Sequence, residues 1–329
     1  MEECPKEGMD RSGPRFLIVR FSAIGDCVMA LPVASRLRRS VPGAVIDWVV
    51  DRRCADVIDT ERLVDGLEAF DSRQEKRSRW TPWGLARQWR FYRRLRDRRY
   101  DFGIDLQGHS KTALCLWCAR PERRVAARST DRLARRLNPV RPWPHRAEHV
   151  VDQNLETLGY LGFATGDPTP ILPNLTRERE ELRSGLPDRP LVTIAVGAGH
   201  PKKIVPIDRW RGVGELLLRE GFAVAYLGGP ADPHPDLPDA IDWVGALPLR
   251  KTMAAVSLSA IHLSGDTGTA HIASALGVPT VTVFGHMPPE QFRPYWGRGV
   301  VLAIGKDASL VPQSAIFAAT MQHWRELRG

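Results

Sequence analysis

Long apolar runs and paired cysteines are both scarce in this chain of 329 residues. No uninterrupted apolar stretch approaches the roughly 18 residues that indicate a membrane span. The five cysteines are odd in number and scattered, which argues against a disulfide framework. Cys115 and Cys118 have the spacing of a redox motif, but no second pair follows, so we interpret them as buried apolar residues. Met1–Pro14 also lacks the apolar core of a signal peptide, so we expect a cytoplasmic protein.

Sequence signatures of several other protein classes are missing as well. The first predicted strand is followed by Ser22-Ala-Ile-Gly-Asp26, not by the GxGxxG of nicotinamide- or flavin-dependent oxidoreductases. Gly197-Ala-Gly-His-Pro-Lys-Lys203 lacks the Gly-Lys-Ser/Thr ending of a Walker loop. No cluster of carboxylates resembles a divalent-metal site, and His145 and His149 lack a nearby third ligand. We therefore expect neither a metal nor a bound cofactor, and an oxidoreductase remains only an alternative.

Basic residues are in excess, which favours anionic partners. Lys and Arg together number 47 against 38 Asp and Glu, a formal net charge of +9. Such a charge suits nucleic acid, acidic lipid surfaces, phosphates or acidic sugars, and does not choose among them. A non-enzymatic nucleic-acid-binding protein is therefore a second alternative.

The segment from Arg73 to Arg99 concentrates this charge, and its arginines are interleaved with Trp80, Trp83, Trp89 and Tyr92. Apolar residues in it fall close to helical spacing, at Leu85, Trp89, Tyr92 and Leu95. This spacing predicts a surface helix docked on its own domain by that face. An anionic membrane surface or an acidic acceptor could instead face its cations.

Strands alternate with helical patterns along the chain, which predicts parallel βαβ units. The first half contains predicted strands at Phe16–Arg20, Val45–Val50 and Tyr100–Leu106. The pattern restarts after Pro190, with strands at Leu191–Val196, Ala223–Leu227, Ile261–Ser264 and Thr280–Phe284. We therefore predict an α/β fold of two doubly wound domains, joined by a linker near residues 173–190.

Polar residues follow the carboxyl ends of these strands, where ligands bind in such sheets. Asp26 is placed to act as a general base, or else only as a helix N-cap. Lys203 can reach phosphates, or else is a solvated surface charge. Ser264–His271 ends a strand and opens a helix, which suits a phosphate, although Asp266 or Thr267 could simply cap that helix.

Taken in order, several of these motifs resemble the family that transfers heptose from ADP-heptose to lipopolysaccharide, glycosyltransferase family 9. The resemblance runs from about Phe16 to about Phe284, and Ile46–Val50 and the Arg/Trp-rich segment after Phe70 are most similar to the heptosyltransferase I branch, which adds the first heptose to Kdo. The motifs that carry it are Arg20-Phe-Ser-Ala-Ile-Gly-Asp26 with Leu31-Pro32, Asp105-Leu-Gln-Gly108 with Lys111-Thr112, Lys203 seven residues before Trp210, Asp266-Thr-Gly268 with His271, and Phe284-Gly285.

The resemblance implies a GT-B fold of two facing Rossmann-like domains, with a final helix crossing back. Residues 15–175 would form the acceptor-binding domain and residues 186–310 the nucleotide-sugar-binding domain. Residues 311–329 would form the helix that packs back on the N-terminal domain. The reaction implied is an inverting transfer without a metal.

The resemblance also implies roles for individual residues. Asp26 would be the catalytic base, and Lys203 would contact the donor diphosphate in catalysis. The acceptor side would include Ser22, Gln107 and Lys111. The implied donor-binding residues are Gly197, Gly199, Lys203, Asp232, Asp266, Thr267, Gly268 and His271.

Three departures from the family pattern concern the donor side. Gly197-Ala-Gly199 replaces hydroxyl side chains in the donor loop, so contacts there would come from backbone N–H groups. Asp232 stands where the family commonly has Glu, and Gly285-His-Met287 replaces Gly-Pro-Thr. They leave open a related GT-B enzyme with another nucleotide sugar or a soluble acceptor.

The function expected from the resemblance is transfer of heptose from ADP-heptose to an acidic, lipid-linked sugar of the inner core, Kdo-lipid A. The expected partners are an ADP-sugar donor, that acceptor and an anionic membrane surface, and no nucleic acid. The expected location is the cytoplasm, with peripheral association at the inner face of the cytoplasmic membrane.

Overall fold

The structure, a computed structural model, describes residues 13–78, 81–138, 140–142 and 145–329. Most of the N-terminal stretch and Trp80 of the basic segment lie outside these described residues. The chain divides into two compact units, Met1–Pro173 and Asn174–Gly329. Each unit is built around one parallel sheet.

The first unit contains a five-stranded sheet in the order β3-β2-β1-β4-β5. Its strands are β1 (Arg15–Val19), β2 (Val45–Asp51), β3 (Gly66–Phe70), β4 (Phe102–Asp105) and β5 (Arg123–Ala126). Its helices are α1 (Ile24–Ser40), α2 (Ser72–Ser78), α3 (Pro82–Asp97), α4 (Ser110–Ala119), α5 (Arg132–Leu137) and α6 (Val150–Leu161). A 3₁₀ helix, Arg52–Val57, follows β2.

The second unit contains a six-stranded sheet in the order β11-β10-β9-β6-β7-β8. Its strands are β6 (Leu191–Ala195), β7 (Ala223–Gly228), β8 (Ile241–Val244), β9 (Ile261–Gly265), β10 (Thr280–Phe284) and β11 (Gly299–Ala303). Its helices are α7 (Thr176–Arg183), α8 (Ile207–Arg219), α9 (Leu249–Ser257), α10 (Gly268–Ala275), α11 (Pro289–Phe292) and α12 (Gln313–Arg328). Short 3₁₀ turns cover Pro201–Lys203 and Ala308–Leu310.

The central strands are buried on both faces because helices cover both sides of a parallel sheet. In the first unit every residue of β2 is buried, and Ile18 of β1 lies in register with Trp48 on one side and Ile104 on the other. In the second unit β6, β9 and β10 are buried along their whole length. The prediction of two doubly wound α/β halves is confirmed.

Part of the predicted linker is a helix. Residues 176–185, which the predicted bounds leave between the two domains, include α7, which packs against α9 in the second unit. Ion pairs join these helices, from Arg250 to Glu178 at 2.6 Å and from Lys251 to Glu181 at 3.1 Å. α7 buries none of its own residues, so it has no apolar stripe by which the sequence pattern reveals a packed helix.

The final helix begins and ends one residue later than Pro312 and Leu327, the limits expected from the sequence. α12 packs against α8 and against β10 and β11, and it buries Ile316, Thr320 and His323. These contacts lie within the second unit. That the helix also reaches the first domain stays a prediction.

The apolar face predicted for the basic segment is wrong in its first half. Leu85 is 50% exposed, Trp89 60% and Trp83 82%, whereas Leu95 is fully buried. The helix docks through its second half because Phe91 and Tyr92 meet the aromatic cluster at the end of β3 there. The first half of α3 therefore carries its tryptophans on the surface.

Among the residues that the structure describes, no helix combines the length and the apolar character needed to cross a membrane.

Candidate active site

Asp26 and Arg20 form an ion pair at the carboxyl end of β1. Arg20 Nη2 lies 2.7 Å from Asp26 Oδ2, and the arginine side chain is only 5% exposed while the aspartate side chain is 31% exposed. Asp26 is the third residue of α1, and its carboxylate also accepts a hydrogen bond from Ala23 N at 3.0 Å. The alternative capping role is thus present, but from inside the helix and not from the N-cap. The same contacts hold the carboxylate in a fixed orientation near solvent.

The loop after β4 is bonded to the loop after β1. Gln107 Oε1 accepts hydrogen bonds from Phe21 N at 2.9 Å and from Ser22 N at 3.4 Å. Asp105, at the end of β4, accepts from the N–H groups of Gln107 and Gly108. Two of the predicted acceptor residues, Ser22 and Gln107, are therefore in direct contact.

Burial raises the pKa of Asp105 to about 6, even though backbone N–H groups of Gly108 and Gln107 stabilise its charge. Its second oxygen, Oδ2, accepts a hydrogen bond from Asn138 Nδ2 at 3.1 Å. Asp105 thus holds the backbone of the loop after β4 in place through these hydrogen bonds.

A cavity of about 790 Å³ opens at this edge of the first sheet. All three predicted acceptor residues, Ser22, Gln107 and Lys111, line it. Aromatic rings form part of its wall, with Phe21 and Phe70 in edge contact at 4.5 Å between ring centroids. Five cations also line it: Arg52, Arg87, Arg90, Arg94 and Lys111. Aromatic walls beside several cations suit an anionic sugar, because rings pack against sugar faces and cations pair with acidic groups.

The sequence assigned Lys111 to the acceptor and offered the arginines of the basic segment, as a group, to an acidic acceptor or a membrane, but it did not predict the cavity. Arg52 follows β2 directly, so its place after a strand was a usable signal. Arg87, Arg90 and Arg94 were treated only as one basic segment. Arg94 also pairs with Glu68 at 3.4 Å, and Glu68 lines the cavity together with Asp51 and Asp71, so three acids accompany the five cations.

Lys203 and Asp266 form an ion pair in the second unit. Lys203 Nζ lies 2.6 Å from Asp266 Oδ2, and the aspartate side chain is 4% exposed. His271 Nε2 approaches the other carboxylate oxygen at 3.8 Å. Burial would raise the pKa of Asp266, but hydrogen bonds with His271 and Lys203 outweigh it and hold that pKa below its usual value. The alternative in which Asp266 caps α10 is wrong, because Thr267 is the N-cap residue.

Two glycines allow the turn that carries Lys203 to sit against the strand ends. A Cβ on Gly285 would lie 1.9 Å from the carbonyl oxygen of Lys202, and a Cβ on Gly265 would lie 2.7 Å from that of Lys203. Both distances are too short for any larger residue unless the backbone shifts. Gly285 follows β10 and Gly265 ends β9, so these two strand ends position the Pro201–Lys203 turn.

Asp232 is folded over the start of the donor loop. A Cβ on Gly197 would lie 1.9 Å from Asp232 Oδ2, so glycine is required at that close approach. The same oxygen accepts a hydrogen bond from Gly229 N at 2.7 Å. Gly199, in contrast, has open space where a side chain would be. These residues gather at the carboxyl ends of β6 and β7.

α10 begins with Thr267 as its N-cap residue, and no side chain caps it. Gly268 is its first residue, and Thr267 Oγ1 lies 3.0 Å from Thr269 Oγ1. An uncapped helix start leaves N–H groups and the positive end of the helix dipole for an anion. The loop predicted to bind the donor therefore has the geometry of an anion site.

His200 and His286 pack against each other in this unit, with ring centroids 4.4 Å apart and the rings tilted by 31°. Desolvation, the charge of His200 and the nearby lysines together lower the pKa of His286. His286 occupies the position at which the sequence departs from the family pattern. Sequence reasoning noted that departure but did not foresee the contact with His200.

The predicted site residues thus fall into two groups. Ser22, Asp26, Gln107 and Lys111 lie at the strand ends of the first unit. The donor-side residues come from the loops after β6, β7 and β9 in the second unit. Within the described part of the chain, no three His, Cys, Asp or Glu side chains are grouped to hold a metal ion. His145 instead contacts Glu156 at 2.7 Å, and His149 caps α6.

Comparisons with known proteins give the family. The family model described as glycosyltransferase family 9 (heptosyltransferase) matches residues 88–309. Lipopolysaccharide heptosyltransferase 1 of Pseudomonas aeruginosa is 28% identical over 315 residues, which cover 91% of this chain and 85% of that protein.

Solved structures share the fold. E. coli heptosyltransferase WaaC with ADP has a TM-score of 0.78 at 20% identity, covering 94% of this chain and 99% of that one. The same enzyme with ADP-2-deoxy-2-fluoro heptose has a TM-score of 0.76 at 21% identity, with the same coverage. Since the family model matches well over half of the chain, this protein belongs to glycosyltransferase family 9, the heptosyltransferase family.

Proposed function

We propose that this enzyme transfers heptose from ADP-heptose to an acidic sugar, Kdo-lipid A, of the lipopolysaccharide inner core, with inversion and without a metal. Family membership supports heptose transfer, and the Pseudomonas relative is named lipopolysaccharide heptosyltransferase 1. The solved relative that holds a fluorinated ADP-heptose supports the choice of donor. The observation that carries the acceptor half is the cavity lined by Ser22, Gln107 and five cations that include Lys111.

The acceptor binds at the carboxyl end of the first sheet. Its acidic groups pair with the cations of the cavity, and its sugar rings pack against the aromatic wall that includes Phe21 and Phe70. Ser22 lies on this wall and is four residues before Asp26. An acceptor in the cavity is thus brought next to the start of α1, where the carboxylate is held.

Asp26 accepts the proton of the attacking hydroxyl. The ion pair with Arg20 and the hydrogen bond from Ala23 N keep its carboxylate oriented, so little reorganisation is needed when the proton arrives. As the O–H bond breaks, the acceptor oxygen attacks C1 of the heptose from the face opposite to ADP. The new C–O bond forms as the bond from C1 to the β-phosphate oxygen breaks, so the product has the inverted configuration.

The donor diphosphate binds in the second unit. Negative charge accumulates on it as ADP leaves with the bonding electron pair, so cations there stabilise the transition state more than the ground state. Lys203 is one source of positive charge, and the uncapped start of α10 at Thr267 and Gly268 is another. Lys203 has three N–H donors, so it can contact phosphate oxygens while it remains paired with Asp266.

Asp232 is assigned to the ribose hydroxyls of ADP. Its carboxylate stands beside Gly197 and Gly229 at the ends of β6 and β7, where the backbone allows close approach. A short acid at this place accepts hydrogen bonds from two vicinal hydroxyls. Gly199 adds open space beside it for the nucleotide.

Peripheral contact with an anionic membrane surface completes the proposal. The first half of α3 exposes Trp83 and Trp89, and Arg93 lies over the Trp89 ring at 5.2 Å. Exposed tryptophans beside arginines are typical of proteins that lie at the membrane interface. A lipid-linked acceptor would be presented at that surface, in the cytoplasm.

The test is product detection by mass spectrometry. Purified enzyme is given ADP-heptose and a Kdo-containing acceptor, with and without EDTA, and parallel reactions contain another ADP-sugar or a soluble acceptor without Kdo. We expect one heptose to be added to the Kdo acceptor in both the presence and the absence of EDTA. Transfer only from another sugar nucleotide, or only with added magnesium, would contradict the proposal.

A further inference from the structure

Two histidines of the second unit pack together although they follow different strands. His200 lies in the loop after β6, and His286 lies in the loop after β10. Their ring centroids are 4.4 Å apart. The proposed mechanism assigns a role to neither ring.

The loop after β6 reaches the loop after β10 by crossing the end of β9. The carbonyl oxygen of Lys203 lies 2.7 Å from the position that a Cβ would take on Gly265, the last residue of β9. The carbonyl oxygen of Lys202 lies 1.9 Å from the corresponding position on Gly285. His286, the next residue, is therefore beside the turn that carries Lys203, the lysine assigned to the donor diphosphate.

The charges around His286 are those of the proposed diphosphate site. The groups that act on it are His200, Lys203, Lys202 and Asp266. Desolvation, the charge of His200 and the two lysines lower the pKa of His286, and Asp266 only partly opposes them. The ring is therefore neutral at and above neutral pH, and a neutral imidazole carries a single N–H.

The surroundings of the two rings indicate which nitrogen of His286 carries this proton. Nδ1 of His286 is closed to solvent and makes no hydrogen bond with the described residues. A proton there would be a buried donor without an acceptor, so the tautomer with the proton on Nε2 is favoured. Nε2 is also the nitrogen that remains open to a ligand. His200 Nδ1, in contrast, accepts a hydrogen bond from Lys202 N at 3.2 Å, which holds the His200 ring against the turn.

Strand order places His286 at one end of the donor-side residues. β7, β6, β9 and β10 are successive neighbours in the sheet. Asp232, assigned to the ribose, follows β7, Lys203 follows β6, and α10 follows β9. A nucleotide with its ribose at β7 and its α-phosphate over β6 extends along the strand ends toward β10. The part of the donor that reaches β10 therefore lies beyond the α-phosphate.

We infer that His286 binds the β-phosphate of the sugar nucleotide through its Nε2–H, and that His200 is a positioning residue that holds the His286 ring in place. The inference rests on the proposed function. Gly197-Ala-Gly199 offers no hydroxyl group in the loop after β6, so an N–H from the loop after β10 adds a side-chain donor to the site. A neutral donor also avoids burying a third positive charge beside Lys202 and Lys203.

The test compares ADP with AMP, which lacks the β-phosphate, by calorimetric titration at pH 8, well above the second pKa of a terminal phosphate, about 6. His286→Phe keeps a ring against His200 and removes the N–H. We expect its Kd for ADP to rise about 10- to 100-fold, as for loss of a hydrogen bond to a charged group, and its Kd for AMP to stay within about twofold. His286→Gln retains an N–H donor near the position of Nε2, so it should bind ADP far more tightly than His286→Phe does.

The part assigned to His200 has its own pair of variants. His200→Phe keeps the ring contact and loses only the hydrogen bond from Lys202 N, so its Kd for ADP should stay close to that of wild type. His200→Ala removes the ring that supports His286, so its Kd for ADP should rise while its Kd for AMP is unchanged. If His200→Phe binds ADP as weakly as His286→Phe does, the assignment of His200 as a positioning residue is wrong.

Three results would overturn the contact with the β-phosphate. Unchanged ADP binding by His286→Phe would show that the two rings only pack against each other. An equal loss of ADP and AMP binding would show that the substitution displaces the turn that carries Lys203. Normal ADP binding together with a raised KM for ADP-heptose would place His286 at the heptose and not at the phosphate.

The titrations need neither acceptor nor turnover, so they separate this inference from the proposed function. If wild type does not bind ADP, the proposed donor is wrong, and UDP compared with UMP then tests His286, because all nucleoside diphosphates share the β-phosphate. Loss of UDP binding by His286→Phe, with UMP binding retained, supports the contact. Wild type that binds no nucleoside diphosphate more tightly than its monophosphate contradicts both the contact and the proposed function.

Discussion

Arg20 joins Asp26 to the loop after β4. One of its terminal nitrogens lies 2.7 Å from the Asp26 carboxylate, and the other donates to the carbonyl oxygen of Leu106. Leu106 precedes Gln107, which in turn binds the backbone at Phe21 and Ser22. Hydrogen bonds thus connect Asp26, the proposed base, to Gln107 and Ser22 of the acceptor side. A substitution in either loop is therefore expected to shift the Asp26 carboxylate.

Removal of the charge of Asp26 tests the base directly. Asp26→Asn should keep the fold and ADP binding, because the amide oxygen can still accept from Ala23 N. Turnover should fall by roughly 10²- to 10⁴-fold, as for loss of general-base assistance. The measurement is kcat with ADP-heptose and the Kdo acceptor. Asp131→Asn is the matched control, since Asp131 also lies at a helix start in the first unit, and it should retain normal kcat. A normal kcat in Asp26→Asn would contradict the assignment of Asp26 as the catalytic base.

The lysine of the donor site can be compared with its neighbour. Lys203→Ala should lower kcat/KM for the donor by about 10²- to 10³-fold, as for loss of one transition-state donor, with little change in acceptor KM. Lys202→Ala, from the same 3₁₀ turn but exposed, should leave both parameters nearly unchanged. Initial rates over a range of ADP-heptose concentrations decide between them. Equal effects of the two substitutions would show that only general surface charge matters.

Gly285→Ala is predicted to weaken donor binding even though Gly285 itself is not assigned to contact the donor. In Gly285→Ala the new methyl group must push the Pro201–Lys203 turn away, because it would lie 1.9 Å from Lys202 O. We expect a loss of about 1–3 kcal/mol of stability, typical of overpacking, and a raised donor Kd. Titration calorimetry with ADP and thermal melting measure the two. Gly185→Ala, whose Cβ would meet no atom closer than 3.9 Å, should change neither. Tight ADP binding by Gly285→Ala would mean that the position of the turn does not matter.

The exposed arginines of α3 predict salt-sensitive vesicle binding. Neutralising Arg90, Arg93 and Arg94 together with Gln should weaken binding to anionic vesicles on the order of 100-fold, at about 1 kcal/mol per cation near the surface. Acceptor KM should rise as well, because Arg90 and Arg94 line the cavity. Co-sedimentation at low and at high salt is the measurement, since salt screens such contacts.

A charge-matched control comes from the second unit. Arg177, Arg179 and Arg183 on α7 are all exposed, so their replacement removes the same charge elsewhere. This variant should sediment like wild type. If both triple variants sediment like wild type at low salt, the membrane contact is rejected.

Burial of Asp105 predicts a pH dependence of stability. Its folded-state pKa of about 6 lies above the unfolded value of roughly 3.9, so the folded state holds the proton more tightly. The resulting stabilisation is fully present below about pH 4 and is lost as the pH rises through about 6. The unfolding free energy of wild type relative to Asp105→Asn should therefore fall by up to about 3 kcal/mol between pH 4 and 7.

Urea unfolding of both proteins at several pH values gives that difference. Asp105→Asn is a suitable reference because Asn138 Oδ1 has no hydrogen-bond partner among the described residues and can accept from the new amide once Asn138 is flipped. A difference that stays flat from pH 4 to 7 would show that Asp105 does not titrate as its burial indicates.

The central strands were predictable from the sequence and the edge strands were not. β2, β6 and β10 are buried along their length and mostly apolar, so their sequence pattern alone identifies them. β5 reads Arg-Arg-Val-Ala and has an exposed first residue, and β8 is mostly only half-buried. An edge strand needs little apolar sequence, because one of its sides faces solvent or loops.

The candidate site divides in a similar way. Residues at strand ends, such as Asp26 and Lys203, stand out from the sequence because their place along the chain determines their place on the sheet. His286 does not, because its contact with His200 depends on which residues the packing brings near.

The strand orders have a consequence for biosynthesis. In the first sheet β1 is made first and lies between its neighbours; β2 and β3 then add on one side, and β4 and β5 on the other. In the second sheet β6 is followed by β7 and β8 on one side, and then by β9, β10 and β11 on the other. Each strand leaving the ribosome thus meets an open edge, and none must insert between two strands that are already paired. All strands of the first sheet precede residue 174, so this sheet can form before the second has been translated.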